Sequence, residues 1–102
     1  MTKKNTIAER HLLFCRKGEL DRQRFIVRIL EPCLVTQDMA NFSFDDGASV
    51  CSVEYEGLNE PSIEIHGIDS IHALAQAADI DTLLRSMDSK YCFYWLTGEP
   101  YF

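Results

Sequence analysis

Cys51, His66 and His72 are the residues from which a Cys–His nucleophile pair or a metal site could be drawn. A thiol nucleophile needs a base beside it, and a zinc centre needs ligands at short, regular spacings. Nothing in these spacings is specific, and the sequence offers no third orienting group or oxyanion donor. Polar residues at the ends of structural elements account for them better. His11 has no companion in sequence. Paired carboxylates for acid–base chemistry need a cleft that separates their pKa values, which a thin sheet of this size rarely encloses. Asp45 and Asp46 do not follow the alternating spacing of a calcium loop. The five glycines are scattered at turns, so there is no phosphate-binding loop. The reading is a non-enzyme: no catalytic residue, no metal and no cofactor.

The carboxylates are more telling as surface. If residues 48–56 and 62–66 alternate as strands, Glu54, Glu56 and Glu64 project from one sheet face, with Asp45, Asp46 and Glu60 at turns. Arg24 and Arg28 on a neighbouring strand could neutralise them in a cross-strand ladder. Otherwise they wait for a basic partner. The net charge of −6 is sharply divided. Residues 1–30 hold eight basic and three acidic side chains, whereas residues 31–102 hold thirteen acids against Arg85 and Lys90. Nucleic acid would want the opposite surface, so a basic protein is the better-matched partner.

Aromatic residues supply the second surface. In Tyr91-Cys92-Phe93-Tyr94-Trp95-Leu96, one alternate set of side chains must look away from the core. Tyrosine and tryptophan are the types that anchor interfaces. Phe42, in the aperiodic segment 33–47, is a further exposed candidate.

The elements that would position these residues follow from pattern. At 46% apolar and 25% charged, the 102 residues suit one globular domain, 1–102. Strands are expected at Ile7–Arg16, Arg22–Leu30, Ala48–Glu56, Ser62–His66 and Tyr91–Leu96, divided by Gly- and Pro-containing turns. Asp69 or Ser70 caps a helix whose Ala73, Ala77, Ile80, Leu84 and Met87 share one face, with a bend allowed near Asp79. The expected fold is α+β: a mostly antiparallel sheet in the order ββββαβ, with one helix across one face. No apolar run approaches the roughly 18 residues of a membrane span, and polar residues interrupt the N-terminal segment. A cytoplasmic location without membrane contact is therefore expected. Four cysteines without a Cys-x-x-Cys pair are expected as free thiols there.

The segment Gly67-Ile68-Asp69-Ser70-Ile71-His72-Ala73-Leu74-Ala75-Gln76-Ala77 resembles a family of small bacterial proteins of unknown function. That family places a Gly-hydrophobic-Asp-Ser turn before an Ala/Leu-rich helix. Ile7-Ala8-Glu9-Arg10 and the Trp95 strand are similar too. The resemblance implies a shared fold and no activity. In size, acidity and lack of catalytic equipment, the chain is also similar in kind to immunity proteins of contact-dependent growth inhibition. That likeness implies a cognate toxin partner, usually basic and nuclease-like, bound so that its active site is occluded. The chain itself would be a monomer or weak dimer when free. Asp45, Asp46, Glu54, Glu56 and Glu64 would attract the partner, and Phe42, Tyr94 and Trp95 would anchor it. The alternative is a homo-oligomeric structural or regulatory module paired through its open sheet face.

Overall fold

A computed structural model describes residues 5–34 and 48–102. Phe42, Asp45 and Asp46 lie outside the described residues. The elements are β1 (Thr6–Arg16), β2 (Gln23–Leu30), β3 (Cys33–Leu34), β4 (Ser49–Glu56), β5 (Ile63–Gly67), α1 (Ser70–Ala77), α2 (Ile80–Arg85) and β6 (Tyr91–Tyr94). Among the described residues every strand pairing is antiparallel and two helices are formed, so the fold is α+β with an antiparallel sheet.

The expected ββββαβ order gains two features. Pro32 cannot donate to a ladder, so β2 stops at Leu30. The chain then resumes as β3 along the same edge of β4. Ile29 faces Val53 and Cys33 faces Val50, a register offset of one residue. Since β5 holds the other edge of β4, the sheet reads β5-β4-β2-β1-β6, with β3 prolonging β2.

The second change divides the single expected helix. Asp79 has φ −79° and ψ 68°, and Ile80 N–H donates to the Ala78 carbonyl at 2.8 Å, an inverse γ-turn. The Asp79 carboxylate then caps α2, accepting from Thr82 N–H at 3.3 Å and from the Thr82 hydroxyl at 2.7 Å. Asp69 caps α1 in the same way, accepting from His72 N–H at 2.7 Å.

Both helices cover one sheet face. Leu12, Phe14, Phe25, Val27, Cys51, Val53, Tyr91 and Phe93 meet Ala73, Ala77, Ile80, Leu84 and Met87 in the main apolar cluster. Small side chains let α1 settle close, and Gly67 sets how close. A Cβ on Gly67 would stand 2.4 Å from Ala73 N and 2.8 Å from Ala73 Cα. Both are backbone atoms at the start of the helix and cannot swing aside. Gly67→Ala should therefore lower stability by about 1–3 kcal/mol, the usual cost of overpacking. An unchanged urea midpoint would contradict this packing.

Candidate functional site: the sheet face opposite the helices

Side chains of directly paired residues share a face, so the register defines the side that the helices leave open. Across it run the rows Glu64–Ser52, Glu54–Arg28–Glu9, Glu56–Ile26–His11 and Arg24–Leu13–Tyr94. Glu54, Glu56, Glu64 and Tyr94 thus occupy the same face. The three carboxylates lie on β4 and β5, and Tyr94 lies on β6 at the other side of the sheet.

Arg28 decides which of these charges is neutralised. Its Nε donates to Glu9 Oε2 at 3.1 Å and its Nη1 to Glu56 Oε1 at 2.9 Å. His11 Nε2 sits 2.9 Å from Glu9 Oε1. The cross-strand ladder foreseen from Arg24 and Arg28 is therefore built at Arg28 alone. Glu56 is engaged, whereas Glu54, although opposite Arg28 in register, is not. Among the described residues, neither Glu54 nor Glu64 makes an ion pair.

The two free carboxylates flank a depression of about 440 Å³, lined also by Arg28, Leu30, Ser52 and Ser62. Glu64 pairs with Ser52, so Glu54 is its diagonal neighbour, about 7–8 Å away. An ammonium or guanidinium group placed between them would reach both. Its binding would relieve a like-charge contact that the folded chain carries alone.

The hydrogen bond from His11, followed by that from Arg28, holds the Glu9 carboxyl below the usual glutamate range. Arg28 does the same for Glu56, first by hydrogen bonding and then by charge. A carboxyl with a lowered native pKa stabilises the fold above its unfolded pKa, and that stabilisation is lost as pH falls through the native value. Arg28→Met should accordingly raise the Glu56 carboxyl midpoint in a ¹³C NMR titration and flatten the acid limb of the stability profile. A Glu56 midpoint that stays put would remove Arg28 as its partner.

The C-terminal aromatics separate into two places. Tyr94 stays on the open face, where the Arg22 guanidinium lies 3.8 Å from its ring centroid. Its hydroxyl is 3.8 Å from Cys15 Sγ, and that contact, with burial, raises the phenol pKa. β6 ends at Tyr94, shorter than the strand expected to Leu96. The chain turns at Gly98, where φ is +93°, and returns to bridge Tyr94 with Pro100.

That return draws Trp95 toward the helices. Its ring packs against Tyr101 at a tilt of 46° with centroids 4.7 Å apart, and the Tyr101 hydroxyl donates to Asp81 on α2. Arg10 lies 5.6 Å from the Trp95 ring and donates to the Tyr101 oxygen at 2.6 Å, while Arg85 covers Phe102 at 4.1 Å. Trp95 remains 40% exposed, but it belongs to this second cluster and not to the surface that carries Glu54 and Glu64. Arg10, Arg22 and Arg85 were invisible as aromatic partners in the sequence, because each contact closes between residues far apart along the chain.

The Cys51, His66 and His72 grouping does not assemble. Cys51 lies on the helix-covered face and donates its thiol hydrogen to the Leu30 carbonyl at 3.2 Å. His66, one position beyond Cys51's partner Ile65, points to the open face. His72 instead closes the turn before α1. Its Nδ1 accepts from Ile68 N–H at 3.0 Å, and its Nε2 meets the Gln76 amide at 2.6 Å. No group of three or more metal-ligating side chains is gathered among the described residues. No helix there is long and apolar enough to cross a membrane.

Compared with protein-family models, curated proteins and solved structures, the chain matches none.

Proposed function

We propose that this chain is a protein-binding module of the immunity type, which captures a basic toxin domain on the sheet face opposite its helices and blocks that domain's active site. The observation that supports this reading most is the pair Glu54 and Glu64, free of ion pairs among the described residues and set around an open depression. Desolvating two neighbouring carboxylates is costly unless a cation arrives with the surface that buries them. A lysine or arginine from a basic domain supplies that cation. The acidic half of the sheet also raises the encounter rate with such a partner.

A specific complex buries on the order of 1,600 Å² in total, far more than the depression offers. The contact therefore extends over β4 and β5 and toward Leu13, Ile26 and Tyr94. The Trp95–Tyr101 cluster lies outside that footprint. In this reading the chain binds neither nucleic acid nor membrane, acts in the cytoplasm, and needs no cofactor.

The reading predicts a basic toxin domain encoded in an adjoining reading frame, and the test is co-expression with that domain. Growth should be restored by the chain and not by an unrelated acidic protein of equal size. Continued killing at full expression of the chain would overturn the reading.

A second reading is supported by the same face. Exposed Arg24 stands on the row of Leu13 and Tyr94, away from Glu54 and Glu64, so a second copy turned by a two-fold axis could set acid against base. Sedimentation of the free chain separates the two: a tight dimer supports self-pairing, and a monomer supports capture of a different protein.

A further inference from the structure

We propose that Cys15 and Cys92 form a reversible cross-strand disulfide, made by exchange with an anionic low-molecular-weight disulfide that engages Cys92 first. The inference does not rest on the toxin-binding reading: Cys15 and Cys92 share the face of Leu13 and Tyr94, but they lie on β1 and β6, away from Glu54 and Glu64 on β4 and β5.

Geometry carries it. Cys15 on β1 is the direct antiparallel partner of Cys92 on β6, so their side chains leave the same face. Two residues further on, Lys17 N–H donates to the Lys90 carbonyl at 2.9 Å. Hydrogen-bonded pairs alternate along an antiparallel ladder, which makes Cys15–Cys92 a hydrogen-bonded pair with a Cα separation of about 5.5 Å. Disulfides span Cα distances of about 4.4–6.8 Å. The Cα separation fits, although in a hydrogen-bonded pair the Cβ atoms must close by about 1–1.7 Å from their usual cross-strand spacing. A bond made under that strain is easily reduced, which is what a reversible link requires. All four cysteines are free thiols in this structure.

Access sets the order of events. Cys15 is 5% exposed, whereas Cys92 is partly exposed and lines a depression of about 320 Å³. Lys17, Arg85 and Phe102 line it as well, with Asp88 as the one acid. Two cations beside a thiol suit a reagent that carries carboxylates. The Cys92 thiol loses its proton to solvent, and the thiolate attacks one sulfur of the reagent. This forms a mixed disulfide and expels one thiolate. Cys15 then loses its proton and attacks Cys92 Sγ, forming the protein disulfide and expelling the second thiolate. The two protons leave with the two expelled thiols: one disulfide is reduced as the other forms. The link would also take the Cys15 sulfur away from the Tyr94 hydroxyl.

The test treats the full-length chain with glutathione disulfide, then alkylates it under denaturing conditions. Alkylatable thiols should fall from four to two, non-reducing peptide mapping should join Cys15 to Cys92, and reduced glutathione should restore all four. Cys15→Ser should stop at the glutathione adduct on Cys92, and joint replacement of Cys33 and Cys51 by serine should leave the link intact. Four thiols remaining, a link involving Cys33 or Cys51, or a stable Cys92 adduct in the unaltered chain would each overturn the proposal.

Discussion

Reversing Glu54 and Glu64 together to lysine should weaken binding of the basic partner on the order of 1,000-fold. Close interfacial charge pairs couple by about 1.5–7 kcal/mol, so about 2 kcal/mol at each site gives that factor. The loss should divide between the two rates. Removing the acidic field slows association and flattens its salt dependence, while the displaced cation speeds dissociation. Stability should move by no more than about 0.5 kcal/mol, because both side chains are exposed and without ion pairs among the described residues. Glu56 provides the internal contrast. Its carboxylate is already held by Arg28, so Glu56→Gln should cost less in binding than Glu54→Gln. Equal losses at the two positions would mean that the partner displaces Arg28.

Phe25→Ala should have the largest effect on the fold. Phe25 is 1% exposed on β2, the middle strand of the sheet, opposite Leu12. Its ring meets Phe14 on β1 edge-on at 5.5 Å and Phe93 on β6 at 5.6 Å, and so ties β2 to both of those strands. Truncation leaves a ring-sized void that neighbours on three strands cannot close together. The expected cost is about 3–5 kcal/mol, against a total of about 5–15 kcal/mol for a domain. Thermal unfolding should fall by roughly 4–8 °C for each kcal/mol lost. A loss below about 1 kcal/mol would place this ring outside the core.

Much of the frame was legible because strands announce themselves by alternation. Phe25, Val27 and Ile29 face the core while Arg24, Ile26 and Arg28 do not, as their period of two required. The helix stripe from Ala73 to Met87 was legible for the same kind of reason. The bend allowed near Asp79 is a full break between α1 and α2. Ala77, Ile80 and Leu84 keep helical spacing across it, so the apolar stripe by itself reads as one helix. β3 has two residues, too few to show any period.

The candidate site was legible only as a set of types. The shared face of Glu54, Glu56 and Glu64 follows from alternation. Which of them Arg28 binds follows from register and side-chain reach, and these are settled between strands. Arg28 reaches past Glu54, its partner in register, to Glu56 on one side and Glu9 on the other. Alternation sets Trp95 on the side of Tyr91 and Phe93, opposite Tyr94; what it could not show is that the strand stops one residue earlier and that Tyr101 returns to pack against the Trp95 ring.

Amide NMR of the ¹⁵N-labelled chain, titrated with the purified basic toxin domain, tests most directly where the partner sits. The largest shift changes should gather at residues 52–56 and 62–66 and spread toward Ile26 and Leu13. Changes confined to residues 95–102 and α2, with β4 and β5 silent, would contradict the assignment to the face opposite the helices.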